Sequence, residues 1–151
     1  MYLIVDERFK SGVMIVRGSI CFDVVVGKSK IHGKGLYAKN KIPAKRKIGG
    51  LTGEIISIQS AREKAKHRHS ISIVELWNGK ALDASVYNNE LRYINHSCLP
   101  NTFMRNLGNH VEFYALRSIQ PNEELTCNYG PTHHDGQRKC NCGAPNCKGF
   151  M

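Results

Sequence analysis

No segment of this 151-residue chain approaches the ~20 consecutive apolar residues that span a bilayer. Val13-Met14-Ile15-Val16 and Val24-Val25-Val26 are of strand length only. A secretory signal is not expected either, because Asp6 and Glu7 stand where it would carry basic and apolar residues. The chain therefore reads as soluble and intracellular, with no membrane partner. Internal repeats and low-complexity tracts are absent, and the length suits one domain with a real core and no accessory modules. Acidic residues are missing from the whole stretch that holds Lys28, Lys30, Lys34, Lys39, Lys41, Lys45, Arg46 and Lys47. Aromatics are nearly missing there as well. Only Tyr37 interleaves these lysines, which argues against a base-stacking platform.

What is present is positive charge and closely spaced thiols. The formal net charge is +10, and a second basic run covers Arg62 to His69. Such charge either solvates a face or attracts a polyanion such as nucleic acid. It also opposes long-range capture of a free basic peptide, unless that substrate is held on nucleic acid or enters an acidic groove. Of the six cysteines, three crowd into Cys140-Asn141-Cys142 and Cys147. A C-x-C pair does not easily bridge itself, so this spacing points to a structural metal, zinc above all, rather than to disulfides. Cys21 is expected to be a buried apolar residue.

The chain is punctuated as short β runs separated by turns, giving a mainly β fold (α+β with little helix). Leu3 to Val5, Met14 to Val16, Phe22 to Val26, Leu36 to Ala38 and Glu54 to Ile58 read as strands, with Gly33-Lys34-Gly35 breaking the pattern. Ser60 and Glu63 form a capping box that predicts one helix over Ala61 to His67. Asn78-Gly79 predicts a two-residue hairpin between Ile71 to Trp77 and Lys80 to Ala84. Further strands are expected at Thr102 to Arg105 and His110 to Leu116 around Gly108. Pro121-Asn122 then reverses the chain before Leu125 to Asn128.

Four strings carry more than strand propensity. They are Ile31-His32-Gly33-Lys34-Gly35-Leu36-Tyr37-Ala38, then Arg92-Tyr93-Ile94-Asn95-His96-Ser97-Cys98-Leu99-Pro100-Asn101, then Glu124-Leu125-Thr126-Cys127-Asn128-Tyr129-Gly130, then the C-x-C-x4-C tail. In this order they resemble the SET-domain protein lysine methyltransferases with a post-SET zinc tail, over roughly residues 24 to 150. The resemblance implies small curved sheets with the RYINHSC segment threaded beneath the NYG segment as a pseudoknot. It divides the chain into an unmatched extension or strand at 1–23, a SET domain at 24–130 and a zinc-binding tail at 131–151, packed as one unit.

It also implies S-adenosylmethionine as cofactor and a protein substrate presenting a lysine, such as a histone or another basic, nucleic-acid-associated protein. Tyr129 is then the catalytic tyrosine. Gly33, Lys34, Gly35 and Leu36 form the cofactor loop, and Arg92, Tyr93, Asn95, His96 and Tyr129 complete the cofactor site. Asn95 and His96 act there largely through backbone groups, with the Asn95 side chain also used. Zinc would take Cys140, Cys142 and Cys147, with Cys98 as the fourth ligand; His133, His134 and Cys127 are the competing fourth ligands.

Methyl transfer needs a neutral amine. A free lysine, with a pKa near 10.4, is held deprotonated near pH 7.4 at a cost of about 4 kcal/mol, which an apolar channel and a cationic cofactor offset. The rest of the task is alignment and exclusion of water. Here the sequence departs from the family. Leu51 in Leu51-Thr52-Gly53 replaces a tyrosine, Cys127 replaces a Phe or Tyr, Val74 stands for a strand Phe, and Asn128 replaces an Asp. A roomier channel of Leu51, Val74 and Cys127 favours turnover beyond one methyl. Two alternatives from other classes stand beside this reading: a catalytically weak SET-fold binding module, and a basic zinc-stabilised nucleic-acid-binding protein. The sequence names neither the target lysine nor the oligomeric state.

Overall fold

The computed structural model describes residues 12–67, 72–131 and 136–151. In chain order the strands are β1 (Met14–Val16), β2 (Val24–Lys28), β3 (Lys34–Ala38), β4 (Lys47–Gly50) and β5 (Gly53–Ser57). One helix, α1 (Ile58–His67), separates these from β6 (Ile73–Glu75) and β7 (Lys80–Asp83). A 3₁₀ turn at Glu90–Tyr93 leads to β8 (Asn95–His96), β9 (Thr102–Leu107), β10 (His110–Ala115) and β11 (Glu124–Cys127).

Two sheets hold these strands. The smaller has the order β1-β5-β7-β6, and the larger runs β2-β3-β11-β9-β10-β4 with β8 attached to β11. Between them lies one core of Val16, Leu36, Ile42, Ile48, Leu51, Leu82, Leu91, Val111, Phe113, Ile119 and Leu125, all buried. The mainly β expectation holds, and the reason is visible along β10. Val111, Phe113 and Ala115 are buried while His110, Glu112 and Tyr114 face outward or lie at the boundary, the two-residue period of a one-sided strand.

Several local expectations need correction. The helix begins at Ile58, not Ala61, because Ser57 is its cap: the Ser60 N–H donates to Ser57 Oγ at 3.1 Å. Glu63 turns forward instead, pairing with Lys66 at 3.3 Å and His67 at 2.8 Å. The Asn78-Gly79 hairpin has a three-residue loop, since Leu76 N–H donates to the Lys80 carbonyl and Gly79 N–H returns to the Leu76 carbonyl. Gly79 supplies the left-handed residue, with φ of 75°. Lys34 and Gly35 do not break a strand but begin β3, paired with Lys28 and Gly27. Cys21 is exposed, not buried; it follows the Ile20–Gly49 bridge and ties down through its backbone N–H to the Ile48 carbonyl, leaving its thiol outside. The expected strand at Leu3 to Val5 lies outside the described residues.

Helix α1 is fastened to the smaller sheet by charge. Lys64 Nζ lies 2.7 Å from the fully buried Asp83 and 3.2 Å from Glu54. Burial opposes ionisation of Asp83, but Lys64 and Ser85 outweigh it and hold its carboxyl below the usual range. The described members of the basic run that starts at Arg62 pair within the protein: Arg62 meets Glu75, Lys64 meets Asp83, and Lys66 and His67 meet Glu63.

Candidate functional site

Strand β8 lies parallel to β11, with Asn95 beside Thr126 and His96 beside Cys127. This pairing brings the RYINHSC and NYG strings together from thirty residues apart. Asn101, the last residue of the first string, extends the junction. Its Oδ1 accepts from Thr126 N–H at 2.8 Å and its Nδ2 donates to the Glu124 carbonyl at 2.7 Å, so its amide mimics a short strand.

Asn95 holds the glycine loop. Its Nδ2 donates to the carbonyls of His32 (3.2 Å) and Lys34 (2.9 Å) and to Glu124 Oε1 (3.0 Å). That amide nitrogen is committed to the protein, which leaves Oδ1 for a ligand. Glu124 is a hub, a role that its place at the head of the NYG string does not announce. Oε1 also accepts from Ser29 Oγ at 2.8 Å, and Oε2 accepts from Tyr37 OH at 3.2 Å. Ser29 Oγ in turn accepts from the Ile31 and His32 amides. Gly35 is glycine for the same reason: a Cβ there would sit 2.3 Å from Glu124 Oε1. Its neighbour Gly33, at φ of 48°, faces open space, so it is the part of the loop free to receive a ligand. Leu36 is wholly buried between β2 and β11 and supports the loop from below.

Lys34 Nζ stands 5.7 Å from the centre of the Tyr93 ring, and the Arg92 guanidinium covers the same ring at 4.8 Å. Arg92 also donates to the Ser85 and Tyr87 carbonyls and to Tyr93 OH at 2.7 Å. Arg92 therefore braces Tyr93, and Tyr93 braces the Lys34 ammonium.

On the other side of β8, His96 Nδ1 accepts from the Tyr129 N–H at 3.2 Å, and the two rings meet edge to face at 5.3 Å. Burial lowers the pKa of His96, so the ring is neutral near pH 7. Two-fifths of Tyr129 remains open to solvent, yet its hydroxyl turns inward and donates to the Ile94 carbonyl at 2.7 Å. Desolvation of that end raises its pKa, and the phenol stays protonated. Leu51 and Cys127 are buried in the core, and Val74, half-buried on β6, packs against the same cluster. Burial pushes the Cys127 thiol up to about 11, which keeps it uncharged.

The sulfurs of Cys98, Cys140, Cys142 and Cys147 all lie within 4.8 Å of one another, and none is in a disulfide. Four thiolates about 2.3 Å from a tetrahedral zinc are spaced by roughly 3.8 Å, so the set fits such an ion after a small contraction. Backbone N–H groups already point at the sulfurs, Cys98 at Cys142 (3.5 Å) and Gly149 at Cys147 (3.4 Å). Burial resists ionisation of Cys142, but the Cys98 and Ala144 amides and the neighbouring thiols bring it down to about 6. Burial and the thiols of Cys142, Cys147 and Cys98 push Cys140 up to about 12, against the Cys142 amide. Cys127 is not in this group, and His133 and His134 lie outside the described residues.

The SET-domain family model matches residues 33–130, from the glycine loop to the end of the NYG string. The chain belongs to the SET-domain family. Human histone-lysine N-methyltransferase 2B is 36% identical over 138 residues, covering 85% of this chain and 5% of that protein. The H3 lysine-4 specific histone-lysine N-methyltransferase of Saccharomyces cerevisiae is 36% identical over 140 residues, covering 85% of this chain and 13% of its own length. Among solved structures, the Chaetomium thermophilum polycomb repressive complex 2 superimposes with a TM-score of 0.66 at 30% identity, over 74% of this chain and 16% of that one. The chain therefore spans a small fraction of the relatives it matches. Within the SET match lie Cys98 and both halves of the β8–β11 junction, while Cys140, Cys142 and Cys147 fall beyond it.

Proposed function

We propose that this SET domain is an S-adenosylmethionine-dependent protein lysine N-methyltransferase, acting on a histone or another basic, nucleic-acid-associated protein, with residues 131–151 as a zinc-tied tail. The observation that carries the reading is the convergence on β8. Asn95 clamps the glycine loop on one side, and His96 fixes Tyr129 on the other.

S-adenosylmethionine, when bound, supplies an activated methyl on a sulfonium. Gly33, Lys34, Arg92, Tyr93 and the open Oδ1 of Asn95 would hold it, with the Lys34 ammonium suited to its carboxylate. Tyr129 contributes orientation. Its single O–H is given to the Ile94 carbonyl, so its oxygen lone pairs remain for the N–H groups of a substrate amine. A protonated phenol of raised pKa is a poor base. His96, whose Nδ1 lone pair is taken by the Tyr129 amide, is no better placed. The amine must therefore shed its proton toward solvent as it enters, helped by the apolar walls of Leu51, Val74 and Cys127. Cys98, Cys140, Cys142 and Cys147 would hold one structural zinc that ties the tail to the end of β8.

A nucleic-acid contact is favoured by a separate observation. Lys28, Lys30, Lys39, Lys41, Lys45 and Arg46 form no ion pair with any described carboxylate, unlike the run in α1. Such a surface could hold the enzyme near a substrate itself bound to nucleic acid.

Incubation with labelled S-adenosylmethionine and core histones, free and assembled on DNA, tests the function. Labelled lysine that falls at least about 10-fold in Tyr129→Phe, equivalent to about 1.4 kcal/mol of barrier, is the expected result. A chain that binds the cofactor but labels nothing would leave the inactive binding module as the better reading.

A further inference from the structure

His96 stands between Tyr129 and the cysteine cluster, and its two ring nitrogens face different partners. The Tyr129 backbone N–H points at Nδ1 from 3.2 Å. An amide N–H can only donate, so Nδ1 carries a lone pair and the proton of the imidazole sits on Nε2. Nε2 lies 3.5 Å from Cys98 Sγ, which is itself 4.0 Å from Cys140 Sγ. The same tautomer that accepts from Tyr129 therefore has an N–H to give to sulfur. It also removes His96 from the contest for a metal, since Nε2 has no lone pair left to donate. Ring rotation is restrained, because the imidazole is buried and packed edge-on against the Tyr129 ring.

We propose that His96 is a positioning residue that couples the cysteine cluster to Tyr129, donating from Nε2 to the Cys98 thiolate while Nδ1 fixes the Tyr129 backbone. The inference rests on the zinc part of the function proposed above. Groups that orient metal ligands from behind commonly change metal affinity by about 10- to 100-fold when removed. Here the group behind Cys98 also reaches the catalytic tyrosine, so the tail and the methyl-transfer site share one side chain.

Two substitutions separate the halves of the ring. His96→Asn can place an amide oxygen near Nδ1 but nothing at Nε2; His96→Gln can place an NH₂ near Nε2 but no acceptor at Nδ1. The experiment combines long-range proton–nitrogen NMR of the zinc-loaded wild type, zinc competition with a chromogenic chelator, and hydrogen exchange at the Tyr129 amide. Expected are an Nε2-protonated ring in wild type and zinc affinity about 10-fold or more weaker in His96→Asn. Affinity should stay within about threefold in His96→Gln, which keeps the donor. Exchange at Tyr129 should accelerate by roughly fivefold or more in His96→Gln and stay near wild type in His96→Asn. An Nδ1-protonated ring, equal zinc affinities in the two variants, or unaltered Tyr129 exchange would overturn the coupling. If neither variant folds, the wild-type tautomer decides alone. A chain that takes up no zinc overturns both readings, whereas a zinc-loaded chain with Nδ1–H overturns only the coupling.

Discussion

The glycine loop and Glu124 can be tested as one unit by a double-mutant cycle. Gly35→Ala would place a methyl 2.3 Å from Glu124 Oε1 and 3.0 Å from Ser29 Cβ. A carbon and an oxygen need about 3.3 Å even in a close contact, so the carboxylate must retreat by about 1 Å. That retreat stretches its bonds from Ser29 (2.8 Å) and Asn95 (3.0 Å) beyond useful range. Hydrogen bonds to a charged group are each worth about 1.5–3 kcal/mol. Partial re-pairing with water, and a gain of about 0.4–1 kcal/mol from replacing a flexible glycine, reduce the net loss to about 2 kcal/mol. Glu124→Ala alone removes the same bonds and leaves a void, for about 3 kcal/mol. In the Glu124→Ala background the alanine at position 35 still presses on Ser29 Cβ at 3.0 Å, but the carboxylate is gone, so its cost should fall by at least half. The expected coupling is about 1 kcal/mol or more, above the ~0.5 kcal/mol scatter of independent sites. Urea unfolding followed by far-ultraviolet circular dichroism suits the measurement, because Trp77 is 90% exposed in the folded chain and reports poorly by fluorescence. Strictly additive penalties would show that Gly35 is glycine for some reason other than Glu124.

Three further outcomes follow from the same geometry. One zinc per chain should be found by elemental analysis and lost in Ser variants of Cys98, Cys140, Cys142 or Cys147; full retention in Cys98→Ser would move attention to His133 or His134. Cys127→Tyr should shift intact-mass product distributions from higher methylation toward monomethyl-lysine without abolishing cofactor binding, and a wild type that stops at one methyl refutes the open-channel argument. Burial opposes ionisation of Glu123, but Arg117, the Gln120 amide and Asn101 hold its carboxyl at about 2 against an ordinary value of 4.5. A depressed folded-state value gives stability that is present above pH 4.5 and lost as pH falls toward 2. The half-exposed Arg117 screens this to about 1 kcal/mol. Unfolding at pH 4.5 and pH 2.5 should therefore show a shallower acid loss in Glu123→Gln, and parallel profiles would remove Glu123 from the acid response.

What could be read from the sequence was whatever lay within a few residues. Asn95 and His96 are neighbours, Cys140 and Cys142 nearly so, and the alternation of β10 is local. Glu124 was invisible as a hub because its partners Ser29, Tyr37 and Asn95 come from three distant segments, and a Glu opening a strand has no distinctive neighbours. The G-x-G string places Gly35 in the cofactor loop but does not tell why it is glycine, because the atom nearest an added Cβ belongs to the distant Glu124. The exposure of Cys21 is not legible locally, because burial of a single thiol depends on which face a bridge presents, and the Ile20–Gly49 pairing joins distant segments.

The division of labour at β8 follows from strand parity. Successive side chains on a strand point to opposite faces. Asn95 accordingly turns toward the His32 and Lys34 carbonyls, while His96 turns toward Tyr129 and Cys98. Both side chains are needed on their own faces at once, and only adjacent positions in an extended segment provide that. The parallel register, Asn95 with Thr126 and His96 with Cys127, fixes which face is which. A one-residue slip of β8 would send the imidazole toward the glycine loop and the amide toward sulfur, exchanging a donor–acceptor ring for a group too short to reach both partners. The dipeptide is therefore tied to its register, and Asn101, bonded to Thr126 and Glu124 of β11, anchors the chain that leaves β8.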